Sequence, residues 1–146
     1  MGQSIVSPCV GLCSTALGDP VCRGCQRTEG EIRDWFGYAD DQRRKRMIEL
    51  DRLRERIASD YLTIENAALL QTQLERYRIR FRDDQPPLSR AVELLRVGRT
   101  RIRDLSRYGL QPKGKGLRLS ADELHEAITH ALLERAESRR LTLELD

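Results

Sequence analysis

Asp41-Gln42-Arg43-Arg44-Lys45-Arg46-Met47-Ile48-Glu49-Leu50-Asp51-Arg52-Leu53-Arg54-Glu55-Arg56-Ile57 is the stretch that decides the fold class. Its apolar positions Met47, Leu50, Leu53 and Ile57, continued by Tyr61 and Ile64, step by three and four. That places them on one face of an α-helix. Asp40 or Asp41 supplies the N-cap. The opposite face carries Arg43, Arg44, Lys45, Arg46, Arg52, Arg54 and Arg56, with Glu49, Asp51 and Glu55 near enough for i,i+4 pairs. Residues 40–85 hold 11 basic and 10 acidic residues, so most of this face compensates itself. Arg43 to Arg46 is the uncompensated cluster, available to phosphates.

Further along, Ala67, Leu70, Leu74, Tyr77 and Phe81 repeat the helical step. A break is expected near 59–63, with Thr63 as N-cap, giving two antiparallel helices. Tyr77-Arg78-Ile79-Arg80-Phe81-Arg82 alternates apolar and basic, which fits a helical continuation and a short edge strand equally. Asp83-Asp84-Gln85-Pro86-Pro87 stops either and marks a boundary.

In the other direction, Thr28-Glu29-Gly30-Glu31 is a capping box opening a short helix to about Phe36. Gly37 ends it. Trp35 and Phe36 are expected to cover the loop before them. That loop holds every cysteine of the 146-residue chain: Cys9, Cys13, Cys22 and Cys25, spaced C-x3-C-x8-C-x2-C. Gly18-Asp19-Pro20 forms the turn that lets the two pairs face each other. Cys22-Arg23-Gly24-Cys25 reads as a metal knuckle, with Pro8, Gly11 and Gly24 shaping the loops. Arg23 and Arg27 would offset thiolate charge. The N-terminus lacks a basic n-region and a long apolar stretch, so a reducing cytoplasm is expected, where clustered thiols bind metal or do redox chemistry. Four thiolates suit zinc and equally an iron–sulfur cluster. The short polar loop and the absence of a C-x2-C-x2-C run lean towards zinc. Two disulfides, a thioredoxin-like redox pair and four inert thiols are the competing readings.

Ser7-Pro8-Cys9-Val10-Gly11-Leu12-Cys13, then Val21-Cys22-Arg23-Gly24-Cys25-Gln26-Arg27-Thr28, then Glu31-Ile32 and Trp35, resemble the bacterial YdhL-type domain of unknown function over about residues 7–57. The resemblance implies that the four cysteines are those of a predicted iron–sulfur protein. It implies no activity.

The last third reads as a helix from Leu88 to about Val97, broken at Gly98. A second helix from Arg101 to about Tyr108 is expected after Thr100, then a loop from Gly109 to Gly116. Ser120-Ala121-Asp122-Glu123 is a second capping box. It opens a helix to about Arg140, with Leu124, Ile128, Ala131, Leu132 and Arg135 in register. Leu141 to Leu145 alternates and is read as strand or frayed end. Residues 86–118 carry 9 basic and 2 acidic residues, net +7, against net −4 over 119–146. The helix pair is similar to MerR and excisionase-type helix-turn-helix proteins over about 88–130. That resemblance implies nucleic-acid contacts by Arg99, Arg101, Arg103 and Arg107, with Lys113 and Lys115 on a wing. The alternative pairs these arginines with Glu123, Glu126, Glu134 and Glu137 of the last helix.

The fold class expected is mainly α: a small four-cysteine metal knuckle (1–39), a helical hairpin (40–85) and a basic helical region (86–146), with one or two short strands admitted. The charged fraction of 34% and apolar fraction of 39% suit a folded chain, and aromatics at 5% leave the packing to aliphatic side chains. No apolar run reaches the length of a membrane span. His125 and His130, five apart, lie on nearly opposite faces of one helix and cannot share a metal from it. Walker, dinucleotide-binding and H-E-x-x-H motifs are absent, so no catalytic residue is assigned. The leading expectation is a metal-binding accessory or regulatory protein with a protein partner. A DNA- or RNA-binding regulator and a redox subunit carrying an iron–sulfur cluster are the alternatives.

Overall fold

The computed structural model describes residues 7–9 and 13–145, and is mainly α with one small sheet. Two side-chain caps set where helices start. Thr28 Oγ1 accepts from the Glu31 N–H at 3.0 Å and Glu31 Oε1 accepts from the Thr28 N–H at 3.0 Å, so the capping box is closed in both directions. It opens α1 (Glu29–Asp34), which tightens into a 3-10 turn over Trp35–Gly37. Helix α2 (Asp40–Ala58) buries Met47, Leu50 and Ile57, as its period requires. The Ser120 box is closed in the same way and opens α5 (Ala121–Leu145). Leu124, Ile128, Leu132 and Ala136 form the buried stripe of α5, while Arg135 is exposed. Residues 141–145 continue this helix and form no strand.

The chain folds as two compact units. The first comprises residues 1–53 with 132–146, and the second residues 54–131. In the second, β1 (Leu62–Ile64) pairs antiparallel with β2 (Leu110–Pro112), Leu62 opposite Pro112 and Ile64 opposite Leu110. Thr63 therefore sits in a strand, and the cap of α3 (Ala67–Arg76) is Asn66, whose side chain accepts the Leu69 N–H at 3.0 Å. Two glycines let the segment around β2 lie against residues 60–66. A Cβ on Gly109 (φ +74°) would fall 2.2 Å from the Asn66 carbonyl oxygen, and one on Gly116 2.3 Å from that of Tyr61. Leu62, Leu70, Leu74, Leu94, Leu95, Leu110, Leu124 and Ile128 fill the core of this unit.

Residues 77–82 are neither helix nor strand. Helix α3 closes with the Ile79 N–H donating to Leu74 O at 2.8 Å and Arg78 in the left-handed region (φ +54°), a Schellman ending that turns Ile79 inward. Helix α4 (Pro87–Gly98) starts with Pro in its first turn, where the missing N–H costs nothing. Beneath it, buried Glu93 accepts from Arg54 at 3.0 Å and from Arg96 at 3.1 Å. The second helix expected from Arg101 is not formed. Extended Asp104 caps Ser106, and left-handed Gly109 follows, which leaves room only for one 3-10 turn, Leu105–Tyr108. The expected wing is likewise replaced by β2 and a 3-10 turn at Gly114–Gly116.

Candidate metal centre and basic surface

The cysteine segment builds its second half-site fully. Val21 and Thr28 form an antiparallel bridge. Between them the Cys22 N–H donates to Arg27 O and the Gln26 N–H to Cys22 O, both at 2.9 Å, closing a tight loop around Cys22-Arg23-Gly24-Cys25. The left-handed residue of this knuckle is Gln26 (φ +65°). Its side chain steadies the loop, Nε2 donating to Arg23 O at 2.8 Å. Cys22 and Cys25 are each about 1% exposed. The Cys22 sulfur accepts a hydrogen bond from the Cys25 thiol and backbone N–H groups of Cys25, Ser14 and Gly24. The Cys25 hydrogen bond, working against burial, pulls Cys22 down to about 4. The same bond and burial push Cys25 up, and the Arg27 guanidinium, whose Nε lies 3.4 Å from the Cys25 sulfur, opposes them.

The first half-site is joined to this knuckle through Ser14, the residue after Cys13. Ser14 gives its N–H to the Cys22 sulfur, and its Oγ accepts the Arg23 N–H at 2.8 Å. Cys13 and Cys9 are half-buried; the Cys13 sulfur sits 2.8 Å from Thr15 Oγ1. All four residues carry thiols rather than disulfides. Among the described residues, no three Cys, His, Asp or Glu side chains are grouped closely enough to hold a metal ion. Gly11 lies outside the described residues. The two thiols of the knuckle are thus brought together, without a third ligand-type side chain grouped closely with them among the described residues.

The donor chemistry nevertheless fits a thiolate-bound metal. Several N–H groups aimed at one sulfur stabilise its anionic form. Trp35, 1% exposed, lies under Arg27 with the guanidinium 4.9 Å from its ring. The indole Nε1 has no hydrogen-bond partner among the described residues, leaving one buried donor in this cluster for an acceptor such as sulfur. Phe36, expected to cover the loop with Trp35, is instead 87% exposed.

The knuckle is tied to the rest of its unit through a carboxylate that sequence reading assigned only to a cap. Buried Glu31 accepts from both Nη atoms of Arg139 at 2.6 Å and from Arg46 at 2.8 Å, and Arg139 also reaches Glu49 at 2.9 Å. Burial alone would raise the Glu31 pKa, but the bonds from Arg139, Thr28 and Arg46 outweigh it and hold the group at about 2. No sequence signal could link residues 31 and 139. Arg46 also stacks on Tyr38 at 4.8 Å, and Arg43 donates to Asp40 and to the carbonyls of Trp35 and Tyr38. Two members of the basic cluster at 43–46 are therefore compensated internally.

In the second unit the predicted basic residues behave differently. Arg99 is held by Asp122 at 3.1 Å and donates to His125 Nδ1 at 3.1 Å. Burial, then the Arg99 charge, lowers the His125 pKa. Arg101, Arg103, Arg107, Lys113 and Lys115 are exposed. None of the salt bridges among the described residues involves them, nor do they pair with Glu123, Glu126, Glu134 or Glu137. Among the described residues, no helix is long and apolar enough to cross a membrane.

Residues 7–54 match the model of a family described as a protein of unknown function (DUF1289). This is close to the stretch, 7–57, on which the sequence resemblance rests. The match carries neither the YdhL-type name nor an iron–sulfur label. Neither the comparison with curated proteins nor that with solved structures finds a match.

Proposed function

We propose that Cys9, Cys13, Cys22 and Cys25 together hold a metal, zinc or an iron–sulfur cluster, and that the chain is a cytoplasmic accessory or regulatory protein built on that site. The observation that carries this reading is the tight loop between Val21 and Thr28 that buries Cys22 and Cys25 together. Ser14, next to Cys13, docks the first half-site beside it, its Oγ accepting the Arg23 N–H at 2.8 Å. Zinc would act structurally, completing a unit with a small apolar core. A cluster would add electron transfer or sensing. Leu17 and Phe36, 88% and 87% exposed, offer apolar contacts to a protein partner.

The test is metal and sulfide content with a visible spectrum, on protein purified without oxygen. One zinc per chain without colour identifies a structural site. Iron, acid-labile sulfide and a brown chromophore identify a cluster and the redox alternative. In either case Cys22→Ser and Cys9→Ser should each abolish stoichiometric metal. A folded, metal-free protein sinks the reading.

A second reading is favoured by the exposed Arg101, Arg103, Arg107, Lys113 and Lys115, which lack ion-pair partners among the described residues. These side chains, with Arg99 held back by Asp122, suit phosphate contacts to nucleic acid without a recognition helix. Binding that weakens steeply as salt rises supports it, and absence of binding at low ionic strength removes it.

A further inference from the structure

We propose that Tyr77 and Tyr108, with Arg76, Arg78 and Arg107 beside them, form a stacking platform for single-stranded nucleic acid. The proposal deepens the second reading above and rests on it. The platform joins two segments that are distant in sequence. The end of α3 reaches the 3-10 turn of residues 105–108 through Gln73 Nε2, which donates to Arg107 O at 2.8 Å. The rings of Tyr77 and Tyr108 then lie 6.2 Å apart at 37°. Tyr77 is 52% exposed and Tyr108 half-buried, so one ring anchors the other. The Arg76 guanidinium lies 5.5 Å from the Tyr77 ring centre, adding a second flat, cationic surface. Bases stack on aromatic faces and on guanidinium planes alike.

No salt bridge among the described residues involves Arg76, Arg78 or Arg107. Asp104, three residues before Arg107, directs its carboxylate to Ser106, at 3.0 Å from the N–H and 2.6 Å from the hydroxyl. Arg78 adds a conformational argument. It occupies the left-handed position that ends α3, where glycine is the least strained residue. A side chain placed there against backbone preference points to a role outside the fold. An exposed ring backed by a second ring and flanked by cations favours a ligand that offers both a flat face and a phosphate. A base in a duplex hides its face within the stack; an unpaired base does not.

The test measures fluorescence anisotropy of the full chain with labelled oligouridylate, oligothymidylate and a duplex, each about 12 nucleotides long, the span of one single-strand site. Single strands should bind roughly 10-fold or more tightly than the duplex at about 50 mM salt. Tyr77→Ser should weaken single-strand binding by about 10-fold while leaving its salt dependence unchanged. Arg78→Gly should weaken it several-fold without lowering the melting temperature, a result that a structural role for Arg78 would not give. The uridylate and thymidylate arms separate RNA from single-stranded DNA as the natural ligand. Equal binding of duplex and single strand, with Tyr77→Ser behaving as wild type, overturns the platform and leaves the phosphate reading standing. No binding of any probe overturns both.

Discussion

The arginine clusters of the two compact units are spent differently, although the second unit also closes Arg54 and Arg96 on its buried Glu93. In the first, Arg46 and Arg139 close on buried Glu31, and Arg43 is drawn onto carbonyls. In the second, Arg101, Arg103 and Arg107 stand in solvent without ion pairs among the described residues. The difference follows the cores. Among the described residues the first unit buries eight apolar side chains, two of them cysteines, and the second buries sixteen. A unit with little apolar interior needs polar ties, and its cations become structural. The unit with the larger aliphatic core leaves Arg101, Arg103 and Arg107 outside ion pairs among the described residues.

The hardest blow to this contrast is Glu31→Gln. It removes the carboxylate charge shared by Arg46 and Arg139 and should cost about 3 to 5 kcal/mol, the usual penalty for leaving buried ions uncompensated. Urea unfolding followed by Trp35 fluorescence reads it directly, since Trp35 lies in the same unit. A cost below about 1 kcal/mol would mean the arginines find other partners or water.

Acid probes the same tie without mutation. Glu31 falls from an ordinary value of 4.5 to about 2 in the folded chain. Its contribution is complete above the unfolded value and disappears as pH drops through the folded one. Between pH 4.5 and 2 the wild type should therefore lose about 3 kcal/mol that Glu31→Gln does not lose. Parallel acid-stability curves for the two proteins would contradict this account.

Within the second unit close backbone approaches are a further sensitive element. Gly109→Ala places a methyl 2.2 Å from the Asn66 carbonyl oxygen at a positive φ. It should destabilise by on the order of 2 kcal/mol in thermal melts. Its opposite is the double change Arg101→Gln and Arg103→Gln, which should shift stability by less than about 0.5 kcal/mol, because neither side chain is buried or paired. A larger loss would show that these arginines serve the fold and would erase the contrast.

What could be read from the sequence was local. The period from Met47 to Ile57, the boxes at Thr28 and Ser120, and the stop at Gly98 each depend on residues a few positions apart, and each is formed. The cysteine spacing singled out the loop around Cys22 and Cys25, while the left-handed backbone at Gln26 carried no sequence signal. The failures came where distant residues decide. Alternation over Tyr77 to Arg82 suggested a regular element, but Ile79 is drawn inward by the ending of α3. Arg101 to Tyr108 had helical spacing, yet Asp104 and Gly109 confine it to one turn. The strands of three residues are too short to announce themselves, and they depend on glycines set by contacts across the unit.

The pairing of Glu31 with Arg139 also sets a timetable. A nascent chain emerging at roughly 5–20 residues per second presents the cysteine segment long before the arginine that secures it. The 108 positions between the two partners correspond to a wait of about 5 to 20 seconds. During that interval Glu31 has Arg46 and solvent, and the unit that holds the cysteines is unfinished. A fragment confined to residues 7–54 would remain in that condition permanently, so the stretch that matches the family is not expected to be an autonomous folding unit in this chain.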